Sequence, residues 1–164
     1  MTVAKALEGA NLVWQRVNEF TNTVNSSPVE RSAFLKSLKL WLATQKGNPK
    51  LQYLTFSNVD THDVATVPEL SVSGCTMYAL YAKKQNTATA AYFKVNDSAT
   101  VAGGASGANV KFTFAMLLGN DEIAAIFQPG YVFATGIRVA SETTAAGGSD
   151  TTTGDGPNGF IIVG

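Results

Sequence analysis

The sequence predicts a mainly β protein with an N-terminal α-helical hairpin, the β part an antiparallel sandwich or jelly roll. Three observations lead there. Apolar residues recur at steps of three and four as far as Gln45, and at steps of two beyond Pro49. Gly47-Asn48-Pro49 separates the two regimes with residues that stop a helix. After the break come about seven short β-patterned runs divided by turn residues, as in sandwiches and jelly rolls. The expected boundaries are a helical hairpin over 1–48 and a β-sandwich domain over 49–164.

In the first helix Leu7, Ala10, Val13, Trp14, Val17, Phe20 and Val24 share one face, and Gln15, Arg16, Asn18, Glu19 and Asn22 point away from it. Asn25-Ser26-Ser27-Pro28 ends this segment. Ser27-Pro28-Val29-Glu30 then reads as a capping box, with Pro28 at the first helical position. Phe34, Leu35, Leu38, Trp41 and Leu42 mark the inner face of the second helix, which a left-handed Gly47 closes. A hairpin of this size buries little by itself, so it must pack on its own β domain or on another subunit.

The expected strands are Leu51–Phe56, Val72–Ala82, Thr87–Val95, Val110–Leu118, Glu122–Phe127, Tyr131–Ala140 and Gly159–Val163. Gln128-Pro129-Gly130-Tyr131 fits a type II turn between two of them. Two bland loops, Ala102–Gly107 and Thr143–Gly156, cannot build a core of their own.

The net charge is zero, but residues 1–50 hold seven bases against three acids, and the rest holds five against nine. The halves therefore differ by sign, +4 and −4, and face different neighbours or each other. Arg31, Lys39 and Lys46 recur seven to eight residues apart on the second helix and form the candidate partner interface. Trp14 and Trp41 join it as aromatic anchors, their other reading being the seam between the two helices. Three charges give weak, salt-sensitive contact with nucleic acid, so an acidic protein neighbour is the expected partner.

Cys75 is the single cysteine, so no internal disulfide is possible and synthesis in a reducing cytoplasm is expected. Its neighbours make it a buried, inert thiol. Met1–Glu8 has no apolar signal-peptide core, and no stretch is apolar enough to span a membrane. His62 between Asp60 and Asp63 has no second histidine to complete a metal site. Gly103–Gly107 lacks the Gly-Lys-Ser/Thr ending of a phosphate loop. Asp150 with Gly154-Asp155-Gly156 lacks the acid that ends a calcium loop. No catalytic residue, cofactor or metal site is assigned, and the chain is expected not to be an enzyme.

From Thr87 to Gly164, about half the chain, a resemblance appears. Ala91-Tyr92-Phe93-Lys94-Val95, Phe133-Ala134-Thr135-Gly136-Ile137, Thr143-Thr144-Ala145-Ala146-Gly147 and Gly159-Phe160-Ile161-Ile162-Val163-Gly164 resemble small virion proteins encoded among the structural genes of tailed bacteriophages. The resemblance implies an accessory virion component, foremost a capsid cement or decoration protein made in the host cytoplasm. Its implied partners are the major capsid protein or other virion proteins, and it implies a homo-oligomer, a trimer among the options. The helical hairpin lies outside the matching segments. A tail, neck or fibre-adaptor component is the alternative. A carbohydrate-binding jelly roll, stacking sugars on Tyr53, Tyr78, Tyr81, Tyr92 and Tyr131, is a reading from another class.

Overall fold

The change of period at Gly47 marks the turn from helix to sheet in a computed structural model. The structure describes residues 9–23, 29–57, 74–85, 89–98, 109–144 and 156–164. Among these, helices α1 (Ala10–Thr23) and α2 (Val29–Thr44) precede seven strands. The strands are β1 (Gln52–Phe56), β2 (Cys75–Lys83), β3 (Ala91–Asp97), β4 (Val110–Met116), β5 (Glu122–Phe133), β6 (Ile137–Glu142) and β7 (Asn158–Val163). They form a four-stranded sheet in the order β1-β7-β2-β5 and a three-stranded sheet in the order β4-β3-β6. Every pairing is antiparallel.

The two sheets face each other across an apolar core. Leu54, Phe56, Met77, Leu80, Ile161 and Val163 of one sheet meet Phe93, Val95, Met116, Ile137 and Val139 of the other. Phe56 and Phe93 stack across the gap with ring centroids 5.3 Å apart. Successive side chains of a strand point to opposite faces. The apolar residues between these therefore face outward from the four-stranded sheet, and the hairpin covers them: Tyr53, Ala79, Tyr81, Phe160 and Ile162 pack with Val13, Val17, Phe34, Leu35, Leu38 and Leu42. Central strands β2 and β7 are buried on both faces, which is why Phe160-Ile161-Ile162-Val163 is apolar without alternation. Of the two supports open to the hairpin, its own β domain supplies the packing surface, and the layers run helices, four-stranded sheet, three-stranded sheet.

The link between hairpin and sheet is short and stitched. Gly47 takes a left-handed φ of 87° just past α2, as its helix-stopping role requires. The amide of Gly9 donates to the carbonyl of Leu51 and that of Ala10 to the carbonyl of Asn48, both at 2.9 Å. The start of α1 is thereby tied to the chain leaving α2. The expected cap at Ser27-Pro28 lies outside the described residues.

Several strand boundaries differ from expectation: β3 runs over Ala91–Asp97, β4 stops at Met116, and the segment from Glu122 to Glu142 is divided differently. Gln128-Pro129-Gly130 does not end a strand. It bulges within β5, where Ala79 pairs with Ile126 and Met77 with Tyr131. Tyr78 is the matching extra residue in β2, bringing it onto the hairpin side beside Ala79. The run expected over Tyr131–Ala140 is instead the end of β5, a turn and β6. The turn forms because Asp97 accepts hydrogen bonds from the amides of Ala134, Thr135 and Gly136 at 3.1, 2.8 and 3.3 Å.

Candidate docking surface

Helix α2 determines what the hairpin shows to solvent, because its inner face is fixed by Phe34, Leu35, Leu38 and Leu42. At 100° per residue, Leu40 lies opposite Leu38 and Leu42, and it is 65% exposed. Lys36 precedes it by four residues and Ala43 follows by three, so they share its side of the helix. Lys36 is exposed, Lys39 is half-buried, and Lys46 and Lys50 are exposed just past the helix. No acidic residue occurs from Arg31 through Lys50. None of these four lysines forms an ion pair among the described residues. The result is an exposed leucine within a group of cations that form no ion pair with the described residues.

The residues singled out from the sequence divide between this surface and the interior. Lys39 and Lys46 belong to the cationic surface. Arg31 does not: it is 6% exposed and turns inward to Glu122 at the start of β5, so the basic stripe loses its first member. Glu122 raises the Arg31 pKa by hydrogen bonding, against the opposing effect of burial. Trp14 packs half-buried in the seam between helices and sheet, as does Trp41, whose ring centre is 5.0 Å from that of Tyr78. Both tryptophans thus pack with the cluster that joins the hairpin to the four-stranded sheet, where the sequence reading has a seam between the two helices alone. Leu40 was not singled out by periodicity. Its signal is phase, a leucine on the side of the helix opposite the apolar face.

The tyrosines offer little stacking surface. Tyr53 stacks on Phe160 at 4.8 Å, Tyr78 lies against Trp41, and Tyr81 is 3% exposed between Phe20 and Phe160. Burial pushes the Tyr53 hydroxyl up to about 12. Tyr131 packs toward the inter-sheet core against Phe112 and Phe133. Tyr92 is half-buried in β3.

Among the described residues, no group of three or more His, Cys, Asp or Glu could hold a metal, and no helix is long and apolar enough to cross a membrane. His62 with its two aspartates, Gly103–Gly107 and Asp150–Gly156 up to Asp155 lie outside the described residues. Cys75 is half-buried at the start of β2 and packs against the inter-sheet core. What the α2 surface can do is attract an acidic surface over a distance set by salt and place one aliphatic side chain at the contact. Comparison with family models, curated proteins and solved structures finds no match for the chain.

Proposed function

We propose that this chain is a non-enzymatic structural protein of a tailed-bacteriophage virion, acting as a capsid cement or decoration protein. The observation that carries the docking part of this reading is the outer face of α2, where Leu40 stands exposed beside Lys36 and Lys39, with Lys46 and Lys50 beyond. The virion part rests on the resemblance of the segments between Thr87 and Gly164. The sandwich is the body, and the hairpin fixed on its outer face presents the cations to acidic surfaces of neighbouring capsid subunits. An apolar anchor ringed by charge suits such a contact, since the charges steer the encounter and the leucine is desolvated on arrival.

The experiment is cosedimentation of the purified chain with assembled capsids lacking it, followed by challenge with heat and low salt. Binding that weakens as salt rises, and capsids that survive longer when decorated, are the expected results. Capsids equally durable without the protein would sink the cement role. Electron microscopy of labelled particles tests the location: label confined to the tail would move the protein to a tail or neck role.

A further inference from the structure

The two flanks of the sandwich are finished differently. At one edge of the three-stranded sheet, all six residues of β6 are buried. At the other, β4 is an edge strand lying over β5, itself the edge of the four-stranded sheet. Phe112 of β4 sits 5.2 Å from Phe127 and 4.7 Å from Tyr131 of β5, ring centre to ring centre. Phe112 and Phe114 are turned toward the inter-sheet core, yet both are only half-buried. Beyond them Leu117 and Leu118 are 52% and 71% exposed.

A bare edge strand carries a row of main-chain donors and acceptors able to pair with another strand, and proteins commonly guard it with charge, proline or a bulge. Among the described residues, β4 has such a guard at one end only. The register slips at Lys111, between the pairs Asn96–Val110 and Val95–Phe112. From Phe112 to Met116 pairing is regular, with neither charge nor proline. We infer that this stretch of β4 is a self-association edge, which pairs antiparallel with β4 of a second copy about a two-fold axis at Phe114.

The register favours a copy of the same chain. An axis at Phe114 brings that ring against Phe114 of the second copy and sets Phe112 opposite Met116. Cross-strand aromatic pairs and sulfur–aromatic contacts stabilise such ladders. Thr113 and Ala115, both exposed on the outer face, fall opposite each other. Lys111 falls opposite Leu117 rather than another lysine, so no like charges meet. Both copies lend the same patch, as a two-fold interface requires. The three-stranded sheet becomes six-stranded, and the half-open phenylalanines are covered. This association does not depend on the virion reading.

Sedimentation equilibrium of the full chain tests it, with a dimer of twice 17.2 kDa expected at tens of micromolar. Thr113→Glu with Ala115→Glu in one chain places carboxylates opposite each other twice per dimer and weakens association about tenfold or more. Thr113→Lys with Ala115→Lys does the same, and mixing the acidic and basic variants restores a dimer holding one of each. In the unaltered protein the alternate amides of 112–116 that turn away from β3 exchange faster with deuterium on dilution, a reading that needs no variant to fold. A wild-type monomer, a trimer, an acidic variant as dimeric as wild type, or concentration-independent exchange in β4 would each overturn the proposal.

Discussion

Arg31 of α2 and Glu122 of β5, 91 residues apart, clasp each other through two hydrogen bonds, Nε to Oε2 at 2.7 Å and a second to Oε1. The fork joins the start of the second helix to the edge of the four-stranded sheet. Lys83 stands 3.9 Å from the same carboxylate on its exposed side. Bidentate pairing fixes direction as well as distance, so this contact sets how the hairpin lies on the sheet.

Replacing Arg31 with Met leaves the carboxylate of Glu122 in a largely desolvated place, with Lys83 as its remaining cation among the described residues. Removing one partner of a buried pair costs about 3–5 kcal/mol, and Lys83 places the expected loss at the lower end. Urea unfolding of Arg31→Met checks this. Adding Glu122→Leu removes the stranded charge and recovers most of the loss. If the double variant is no more stable than the single, the clasp is not the coupling described. In the single variant the amides of α2 exchange faster than those of β2 and β7, because the helix loses its tether while the central strands keep theirs.

Gly159 explains how β7 reaches the middle of its sheet. A Cβ at this position would lie 1.9 Å from the carbonyl oxygen of Tyr81 and 2.7 Å from Cζ of Phe56. The backbone oxygen cannot swing aside as a side chain can. Gly159→Ala is therefore expected to cost about 3 kcal/mol or more, through displacement of β7 from β2. A melting temperature within about two degrees of wild type would show that the strands have more room than these distances allow.

The helices and most of the strands were legible because their signals are local. The phase of Phe34, Leu38 and Leu42 marks the inner face of α2, and Gly47 with Pro49 marks its end. The meeting of hairpin and sheet was legible only as a choice of supports. Tyr81 and Phe160 point away from the inter-sheet core, but which apolar face covers them is a tertiary fact. Arg31 shows the limit most clearly. Periodicity placed it with Lys39 and Lys46, since spacing cannot see an acid 91 residues away. The bulge at Gln128-Pro129-Gly130 read as a turn for a similar reason: the residues that bend a strand inside a ladder are those that end one.

Asp97 carries a pH dependence. Burial raises its pKa, but the amides of Thr135, Ala134 and Gly136 and the charge of Lys111 outweigh this, leaving it below the ordinary aspartate value. A carboxyl depressed by folding stabilises the folded state above its unfolded pKa, and that stability fades as pH falls through the folded value. The window thus opens below about pH 4. Asp97→Ala costs about 1–3 kcal/mol at neutral pH, through loss of charge-assisted hydrogen bonds at the turn before β6. The gap between wild type and variant, followed by urea unfolding, holds constant from pH 7 to about pH 4 and narrows below it. A gap that widens on acidification would contradict the assignment.

Lys94 and Glu142 give the sharpest stability test, because both are interior. Their side chains are 2% and 0% exposed, on the face of the three-stranded sheet turned away from the core, and Nζ lies 2.5 Å from Oε2. The other oxygen of Glu142 has no hydrogen-bond partner among the described residues. Desolvating both charges offsets most of their attraction, so the pair adds little net stability while either half alone is costly. Lys94→Met is expected to lose about 3–5 kcal/mol by leaving a buried carboxylate uncompensated. Joining it to Glu142→Leu should return stability to within about 1 kcal/mol of wild type, or above it. Urea midpoints at unchanged slope measure both. If the double variant proves as unstable as Lys94→Met alone, the pair stabilises the sheet outright, and the desolvation argument is wrong for this site.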